Sequence, residues 1–160
     1  MSGTPQIRLA EQGSKQRLRL WLRLLAVTRK IEAELRERMR TEFDSTLPRF
    51  DVMAALSRHE QGLRMSALSG VLRVSNGNVT GIVDRLAEDG LVMRVPVAGD
   101  RRATLVRLTA KGAEVFARQA ADHEAWIDGM LAELSPEEAR SYAARLRTLA
   151  QKLDDKGATE

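Results

Sequence analysis

The chain has 160 residues, of which 43% are hydrophobic, which is enough for one domain or two small lobes that share a core. It contains no cysteine, which excludes disulfides, thiolate metal sites and a cysteine redox switch. Its net charge of +4 is uneven, since residues 1–50 carry +5, residues 51–112 carry +3 and residues 113–160 carry −4, and the basic part suits a polyanionic partner.

Several function classes have no support in the sequence. The two histidines, His59 and His123, fall on different predicted segments, so we expect no metal and no cofactor. We find no nucleophile–base pair and no glycine-rich phosphate loop, so we expect no enzyme. No apolar run approaches the length of a membrane span and the N-terminus lacks the pattern of a signal peptide, so we expect a soluble, cytoplasmic protein.

The first predicted element is a long helix. Residues 1–13 are polar and aperiodic, and we expect a flexible arm there. From Lys15 to Phe43 apolar residues recur at three- and four-residue steps, which predicts a helix with more apolar surface than one partner would cover. Its polar face is rich in arginine, which suits a phosphorylated ligand, a DNA backbone or plain solubility alike: Arg17, Arg19, Arg23, Arg29, Arg36, Arg38 and Arg40.

Shorter elements follow. Pro48 fits the first turn of a second helix, "RFDVMAALSRH", and "MSALSGVL" predicts a third. Residues 73–86, "RVSNGNVTGIVDRL", predict a fourth. After Gly90 the period becomes that of strands, and "LVMRV" and "TLVRL" flank the basic turn "PVAGDRRA". Thr109 is an expected N-cap of the next helix, and the start signals in "LSPEEA" open a last helix that ends near Leu153.

Two short helices joined by a tight turn and followed by a hairpin predict a winged helix-turn-helix. In this motif the second helix enters the DNA major groove and its N-terminal residues contact base edges. On a helical wheel of residues 75–88, Val79, Ile82, Val83 and Leu86 form one apolar stripe. The polar residues that we expect to contact DNA are Ser75, which is also the expected N-cap, Asn76, Asn78, Thr80 and Arg85.

The same helix carries two glycines, each of which costs about 0.8–1 kcal/mol relative to alanine in a helix interior. Gly77 and Gly81 face away from the apolar stripe, so we interpret them as points where the backbone approaches DNA closely. In the alternative interpretation Gly77 lies in the first turn, where glycine costs little, and Gly81 only relieves crowding against another helix. The hairpin that follows favours the first interpretation.

Two motifs resemble a known family. "GDRRATLVRLTAKG", residues 99–112, resembles the wing signature of the MarR (multiple antibiotic resistance regulator) family, and "VTGIVDRLAEDGLVMRV", residues 79–95, resembles its recognition helix and first wing strand. The resemblance extends over nearly the whole chain. It implies a mainly α fold with a small β-hairpin wing: a winged helix-turn-helix domain at 47–109, dimerisation helices at 14–46 and 110–154, and a tail at 155–160.

The resemblance also implies a function. It indicates a homodimeric transcriptional regulator that binds a pseudo-palindromic site in double-stranded DNA, with repression as the usual outcome. Asp100 matches the aspartate that holds the wing, and we expect it to pair with Arg102. Arg101 or Arg102 would enter the minor groove, and the sequence leaves open which of them does so. The alternative for these residues is a solvated basic turn.

The recognition helix departs from the family in one place. Many members have a basic or larger polar residue after the threonine, where this chain has Gly81. The departure shifts the expected contacts toward the remaining polar residues, Arg85 among them. Arg85 is equally able to pair with Asp84 or Glu88 on the helix surface.

A small-molecule effector is also implied by the resemblance. The family senses anionic or aromatic molecules between its dimerisation helices and winged domain, and the lack of cysteine excludes its thiol-oxidation branch. "LRLWLRLL", "TLPRFDVMAAL" and "SNGNVTG" resemble the branch that responds to aromatic acids such as hydroxycinnamate and their coenzyme A thioesters. The candidate pocket residues, which helical spacing equally assigns to the core, are Trp21, Arg23, Phe50, Met53 and Phe116.

One alternative function stays open, a winged-helix protein-interaction module without DNA binding. Such a module should lack basic residues in its wing, whereas Arg101 and Arg102 are present.

Overall fold

The computed structural model describes residues 5–72 and 76–157 and confirms a mainly helical fold with a small antiparallel sheet. Within these residues the elements in chain order are α1 (Pro5–Phe43), α2 (Leu47–Ser57), β1 (Leu63–Arg64), α3 (Met65–Leu72), α4 (Asn76–Glu88), β2 (Val92–Val97), β3 (Asp100–Leu108), α5 (Ala110–Met130) and α6 (Pro136–Gly157). They form two compact units, one that extends to His123 and one that starts at Glu124, so α5 contributes to both.

Helix α1 begins at Pro5, so the flexible arm predicted for residues 1–13 is wrong for residues 5–13. Proline is tolerated in a first turn because its missing N–H would have no partner within the helix. The following residues, "LAEQ", are good helix formers. The single Gly13 costs about 1 kcal/mol, which does not stop a helix of 39 residues.

The break after α1 has a local cause. Asp44 adopts a left-handed backbone with φ +47°, which ends the helix, and the Ser45 N–H donates back to the Met39 carbonyl at 3.1 Å. Thr46 then caps α2, because its hydroxyl accepts from the Arg49 N–H at 3.4 Å. Pro48 lies in the first turn, as predicted.

The core of the first unit lies among α2, α3, α4 and the sheet. Burial of one large aliphatic side chain contributes about 1.5–3 kcal/mol, so this cluster is the main source of stability of the unit. Its buried members are Val52, Met53, Ala55, Leu56, Leu68, Val79, Val83, Leu86, Leu91, Val92 and Val106.

The sheet has the order β1-β3-β2, and both pairings are antiparallel. The sequence did not predict β1, because two residues are too few to show a strand period. Leu63 pairs with Val106 and Arg64 with Leu105, so β1 places the start of α3 next to the middle of the second wing strand.

Helix α6 begins with the predicted capping box. The Glu138 carboxylate accepts from the Ser135 N–H at 2.9 Å, and the Ser135 hydroxyl accepts from the Glu138 N–H at 3.2 Å. The helix continues past the predicted end at Leu153 to Gly157.

Three arginines on the polar face of α1 are held by glutamates one turn away. Arg36 pairs with Glu32, Arg38 pairs with Glu34 at 2.7 Å, and Arg40 pairs with Glu37 at 2.6 Å. Exposed pairs of this kind are screened by solvent and contribute little to stability. Among the interpretations left open for these arginines, the pairs favour a solvated helix surface for these three.

Candidate nucleic-acid interface

Helix α4 buries one face and exposes the other. Val79, Val83 and Leu86 are fully buried among the helices and the sheet, and Ile82 is half-buried beside them. The predicted stripe therefore faces inward, and the polar residues outside it are exposed: Asn78, Thr80 and Arg85, with Gly81 among them.

Three of the predicted contact positions are only partly covered by the structure. Ser75, the expected N-cap, lies outside the described residues. Asn76 and Gly77 begin α4. The burial of these two residues lies outside what the structure describes.

Gly81 meets no steric constraint within the described part of the chain. An ideal Cβ built on Gly81 has no heavy atom within 4 Å. The alternative that this glycine relieves crowding against another helix is therefore wrong for the described residues. What remains is an open backbone on the outer face of α4, where a missing side chain permits close approach of another molecule.

The acidic neighbour of Arg85 has a different partner. The Asp84 carboxylate accepts from Arg94 Nη2 at 2.5 Å, and this ion pair joins α4 to β2. The expected alternative pairing of Arg85 with Asp84 or Glu88 is therefore wrong, since among the described residues neither acid forms an ion pair with Arg85. Asp84 therefore joins α4 to β2 through Arg94, and the Arg85 side chain stays exposed on the flank of α4.

The wing is longer and less regular than predicted. Gly99, with φ +83°, supplies the left-handed backbone of the tight turn, and Val97 pairs with Asp100 across it. The next pairing joins Pro96 to Thr104, so Arg101, Arg102 and Ala103 oppose no residue on β2. These three residues form a bulge in β3 rather than the loop that the sequence predicted.

Asp100 holds this bulge through the backbone. Its carboxylate accepts from the N–H of Arg102 at 3.0 Å, whereas the predicted pairing with the Arg102 guanidinium is wrong, since no such ion pair joins the two side chains. Arg101 and Arg102 are exposed, and across residues 5–72 and 76–157 neither forms an ion pair. Both guanidinium groups therefore project from the wing with their donors available.

Thr109 connects the base of the wing to α5. Its hydroxyl donates to the Gly90 carbonyl at 2.6 Å and accepts from the Gly112 N–H at 3.0 Å, which confirms the predicted N-cap. An ideal Cβ on Gly112 would lie 1.8 Å from the Leu91 carbonyl oxygen. Only glycine fits at this contact, a requirement that the sequence analysis did not identify.

Two cavities open beside these elements. One, of about 320 Å³, lies between the start of α3 and the turn end of β3 and is lined by Arg64, Met65, Ser66, Asp100, Arg102, Ala103 and Thr104. The other, of about 210 Å³, is lined by Thr46, Arg49, Asn78, Gly81, Ile82 and Arg85. The sequence analysis missed Thr46, Arg49 and Arg64, because their neighbours in space are distant in sequence.

The predicted effector residues fall in two different environments. Phe50 is 6% exposed, with its ring centroid 5.5 Å from Phe116 and 4.6 Å from the imidazole of His123, on which it stacks. Met53 is fully buried in the core. Trp21 is 56% exposed on α1, and no contact described for Trp21 or Arg23 joins them to the other three. His123, which the sequence analysis did not select, belongs to the aromatic cluster.

Two polar groups accompany this cluster. Asp51 follows Phe50 on α2, and burial raises the pKa of its carboxyl while lowering the pKa of the His123 imidazole. Gln119 is 4% exposed on α5, and its Oε1 is buried without a hydrogen-bond partner in the described structure. It lies on the same helix face as Phe116 and His123.

Other site types were searched among the described residues. No group of three or more His, Cys, Asp or Glu side chains there is arranged to hold a metal ion. No helix there has the length and apolar composition needed to cross a membrane.

Residues 45–104 match the family model described as MarR family. A crystal structure of a MarR family transcriptional regulator from Silicibacter pomeroyi is similar with a TM-score of 0.72 and 31% identity, over 88% of this chain and 96% of that one. A mutant MarR from E. coli complexed with operator DNA has the same fold, with a TM-score of 0.72 and 24% identity over 84% and 95% of the two chains.

A curated relative is also named for a role in transcription. The transcriptional activatory protein BadR from Rhodopseudomonas palustris is 36% identical over 91 residues, which cover 56% of this chain and 47% of that protein. The chain therefore aligns with about half of that relative's length.

Proposed function

The chain belongs to the MarR family of transcriptional regulators, and from this premise we propose that it is a homodimer that binds a pseudo-palindromic operator and represses transcription until a small effector releases it. The DNA-binding part rests on one observation: α4 has an open, polar outer face, and the two arginines of the wing form no ion pair with any described residue. Its relatives are regulators, which favours a non-enzymatic role.

The geometry suits recognition of duplex DNA. Asn78 and Thr80 lie on the exposed side of α4, where they can reach base edges in the major groove, and asparagine is well suited to adenine. Arg101 and Arg102 lie on the bulge of the wing, where a guanidinium can enter a narrow minor groove or bind phosphates. In a homodimer two α4 helices would meet half-sites about 10 base pairs apart.

Fluorescence anisotropy with DNA from upstream of the chain's own gene tests this proposal, with random-sequence DNA as the control. We expect specific binding whose affinity falls steeply with salt, because each phosphate contact releases counterions. Binding to neither DNA at low salt would support the protein-interaction module instead.

The effector part of the proposal rests on the aromatic cluster. Phe50, Phe116 and His123 offer ring surfaces, and the unpartnered Oε1 of Gln119 offers an acceptor for a hydroxyl group. Such a site suits an aromatic acid or its coenzyme A thioester. To release DNA, the ligand must bind the non-binding conformation more tightly than the DNA-binding one.

Titration of the DNA complex with aromatic acids and their thioesters tests this part separately. Release by one of them would support the effector class. A complex that none of them dissociates would remove the effector class and leave the DNA-binding part in place.

The sign of regulation is testable too. The relative BadR is named as an activator, and the commoner family outcome is repression. A reporter placed behind the bound DNA should be more active without the protein if it is a repressor, and less active if it is an activator.

A further inference from the structure

The smaller cavity, between the first turn of α2 and the exposed flank of α4, has the chemistry of an anion site. Its lining contains two guanidinium groups, an amide and a hydroxyl, and it contains no carboxylate. The larger cavity, beside the turn end of the wing, is different, because Asp100 lines it together with Arg64 and Arg102. Of the two linings, only that of the smaller cavity combines two guanidinium groups with no carboxylate.

Arg49 is held in place for this role. Its side chain is 19% exposed, and its Nη2 donates to the carboxylate of Asp89, which does not line the cavity. Its Nε is buried without a hydrogen-bond partner among the described residues. A guanidinium has five N–H donors, so Arg49 retains donor capacity for an acceptor that enters the cavity.

Arg85 approaches the same cavity from α4. It lies seven residues after Asn78, on the same helix face and about 10 Å further along the axis. Because Asp84 pairs with Arg94, Arg85 has no competing ion pair among the described residues. The cavity therefore borders the helix face that the proposed function places in the major groove.

We propose that this cavity seats one phosphodiester of the operator backbone. Arg49 and Arg85 hold the two non-bridging oxygens, which share one negative charge, and the hydroxyl of Thr46 and the amide of Asn78 line the seat. The proposal rests on the proposed function and extends the DNA interface from α4 and the wing onto α2. A phosphate held on both sides fixes the position of α4 in the groove, since phosphate contacts set register while base contacts read sequence.

The experiment measures DNA affinity by anisotropy over a series of salt concentrations for four variants. Arg85→Gln and Arg49→Gln each remove one guanidinium from the seat. Arg58→Gln removes the same charge from the opposite end of α2, where the side chain is exposed. Asp89→Asn removes the partner of Arg49 but keeps the guanidinium, so it separates the ion pair from the phosphate contact.

We expect Arg85→Gln and Arg49→Gln each to weaken binding about tenfold and to lower the salt slope by about 0.9 per half-site. Arg58→Gln and Asp89→Asn should retain the wild-type slope. Neutral methylphosphonate linkages placed singly along the operator should reveal one position per half-site that weakens wild-type binding. The same linkage should weaken binding of Arg85→Gln less, because only Arg49 still holds that phosphate.

The failures are distinguishable. If the wild-type protein shows no salt-dependent DNA binding, the proposed function itself is wrong. If it binds but both guanidinium variants retain its affinity and slope, the phosphate seat is wrong and the proposed function stands. If inorganic phosphate raises the melting temperature of the wild type but not of Arg85→Gln while both slopes are unchanged, the cavity binds free anions and the DNA assignment is overturned.

Discussion

At the tip of the wing, Asp100 uses its carboxylate on a backbone N–H rather than on a side chain. This choice has a consequence for charge. A guanidinium paired with Asp100 would be partly neutralised and fixed, whereas here the bulge is held while both arginines keep their full charge. The acidic residue therefore shapes the wing through its backbone and leaves both arginine side chains without an ion pair to it.

Arg102→Ala should lower operator affinity at least tenfold, because it removes an exposed guanidinium that we expect to contact DNA. It should leave the oligomeric state unchanged, because the Arg102 side chain forms no ion pair with a described residue. Anisotropy and size-exclusion chromatography measure the two properties. An unchanged affinity would show that this arginine lies outside the interface.

Gly112→Ala should destabilise the fold by about 1–3 kcal/mol or more, because the new Cβ would overlap the Leu91 carbonyl and the backbone must shift. Gly129→Ala, on the same helix, is the control, since its Cβ meets no atom within 4 Å. Urea unfolding of both variants gives the comparison, and equal stability would contradict the close contact.

The stacking of His123 on Phe50 predicts a pH dependence of stability. Burial lowers the pKa of His123 and outweighs the attraction of Asp51, so the unfolded chain binds a proton more readily. Stability should therefore fall as the pH drops below 6.5, the ordinary pKa of histidine. Burial raises the pKa of Asp51, so this carboxyl opposes the trend only at lower pH. The charge of Glu32 raises the pKa of Asp51 further, whereas the charges of His123 and Arg36 lower it.

Urea unfolding at several pH values between 5 and 8 measures this dependence. His123→Phe keeps a ring on Phe50 and removes the titrating group, so its stability should change less over the same range. If the stability of the wild type changes with pH as little as that of the variant, His123 has the same pKa in the folded and unfolded states.

At the scale of elements, α4 has a firmly packed inner face and an exposed outer face with Gly81 at its centre. The ion pair between Asp84 and Arg94 joins this helix to β2, the first strand of the wing. Gly81 is the weak point of the helix in terms of propensity, and nothing inside the described chain requires it.

Gly81→Ala should therefore stabilise the fold by about 0.5–1 kcal/mol and at the same time weaken operator binding. The first effect follows from helix propensity, and the second from a Cβ on the face that approaches DNA. Thermal unfolding and anisotropy test both on one sample. A variant that is more stable and binds equally well would show that α4 does not approach DNA closely at this position.

Sequence periodicity predicted α4 well, because one buried stripe on a single helix determines which residues face outward. The wing was predicted less well. The alternation of strand residues located β2 and β3, but a three-residue bulge depends on which residues pair across the hairpin, and pairing leaves no local pattern.

Interactions between elements were not predictable at all. The Arg49–Asp89 pair spans 40 residues, and helical spacing alone did not separate Met53, a core residue, from Phe50, whose ring stacks on His123.

At the scale of the whole molecule, each unit leaves an apolar surface uncovered. Helix α6 exposes Tyr142, Leu146, Leu149 and Leu153, which recur at four- and three-residue steps on one face. Helix α1 exposes Leu18, Leu20, Trp21, Leu22 and Val27. Stripes of this kind mark interfaces, and the proposed homodimer would cover them.

Leu149→Glu should convert the proposed dimer to a monomer and weaken DNA binding, because a carboxylate in an apolar interface is costly to desolvate. Gln151→Glu adds the same charge on the opposite face of α6 and should leave the dimer intact. Light scattering after size-exclusion chromatography gives the mass of each. A dimer that persists in Leu149→Glu would place the interface elsewhere.

Thr109 has a last consequence, which concerns the exchange of amide hydrogens with solvent. The Thr109 N–H donates to Leu91, the Gly112 N–H donates to Thr109, and the Leu91 N–H donates to Leu86 at 2.9 Å. These amides lie in one hydrogen-bonded unit with the end of α4 and the start of α5, so they should become exposed only when that unit opens as a whole. The bulge of the wing, whose residues oppose no residue on β2, should exchange faster, and a bound operator should slow it while leaving the Thr109 unit unchanged.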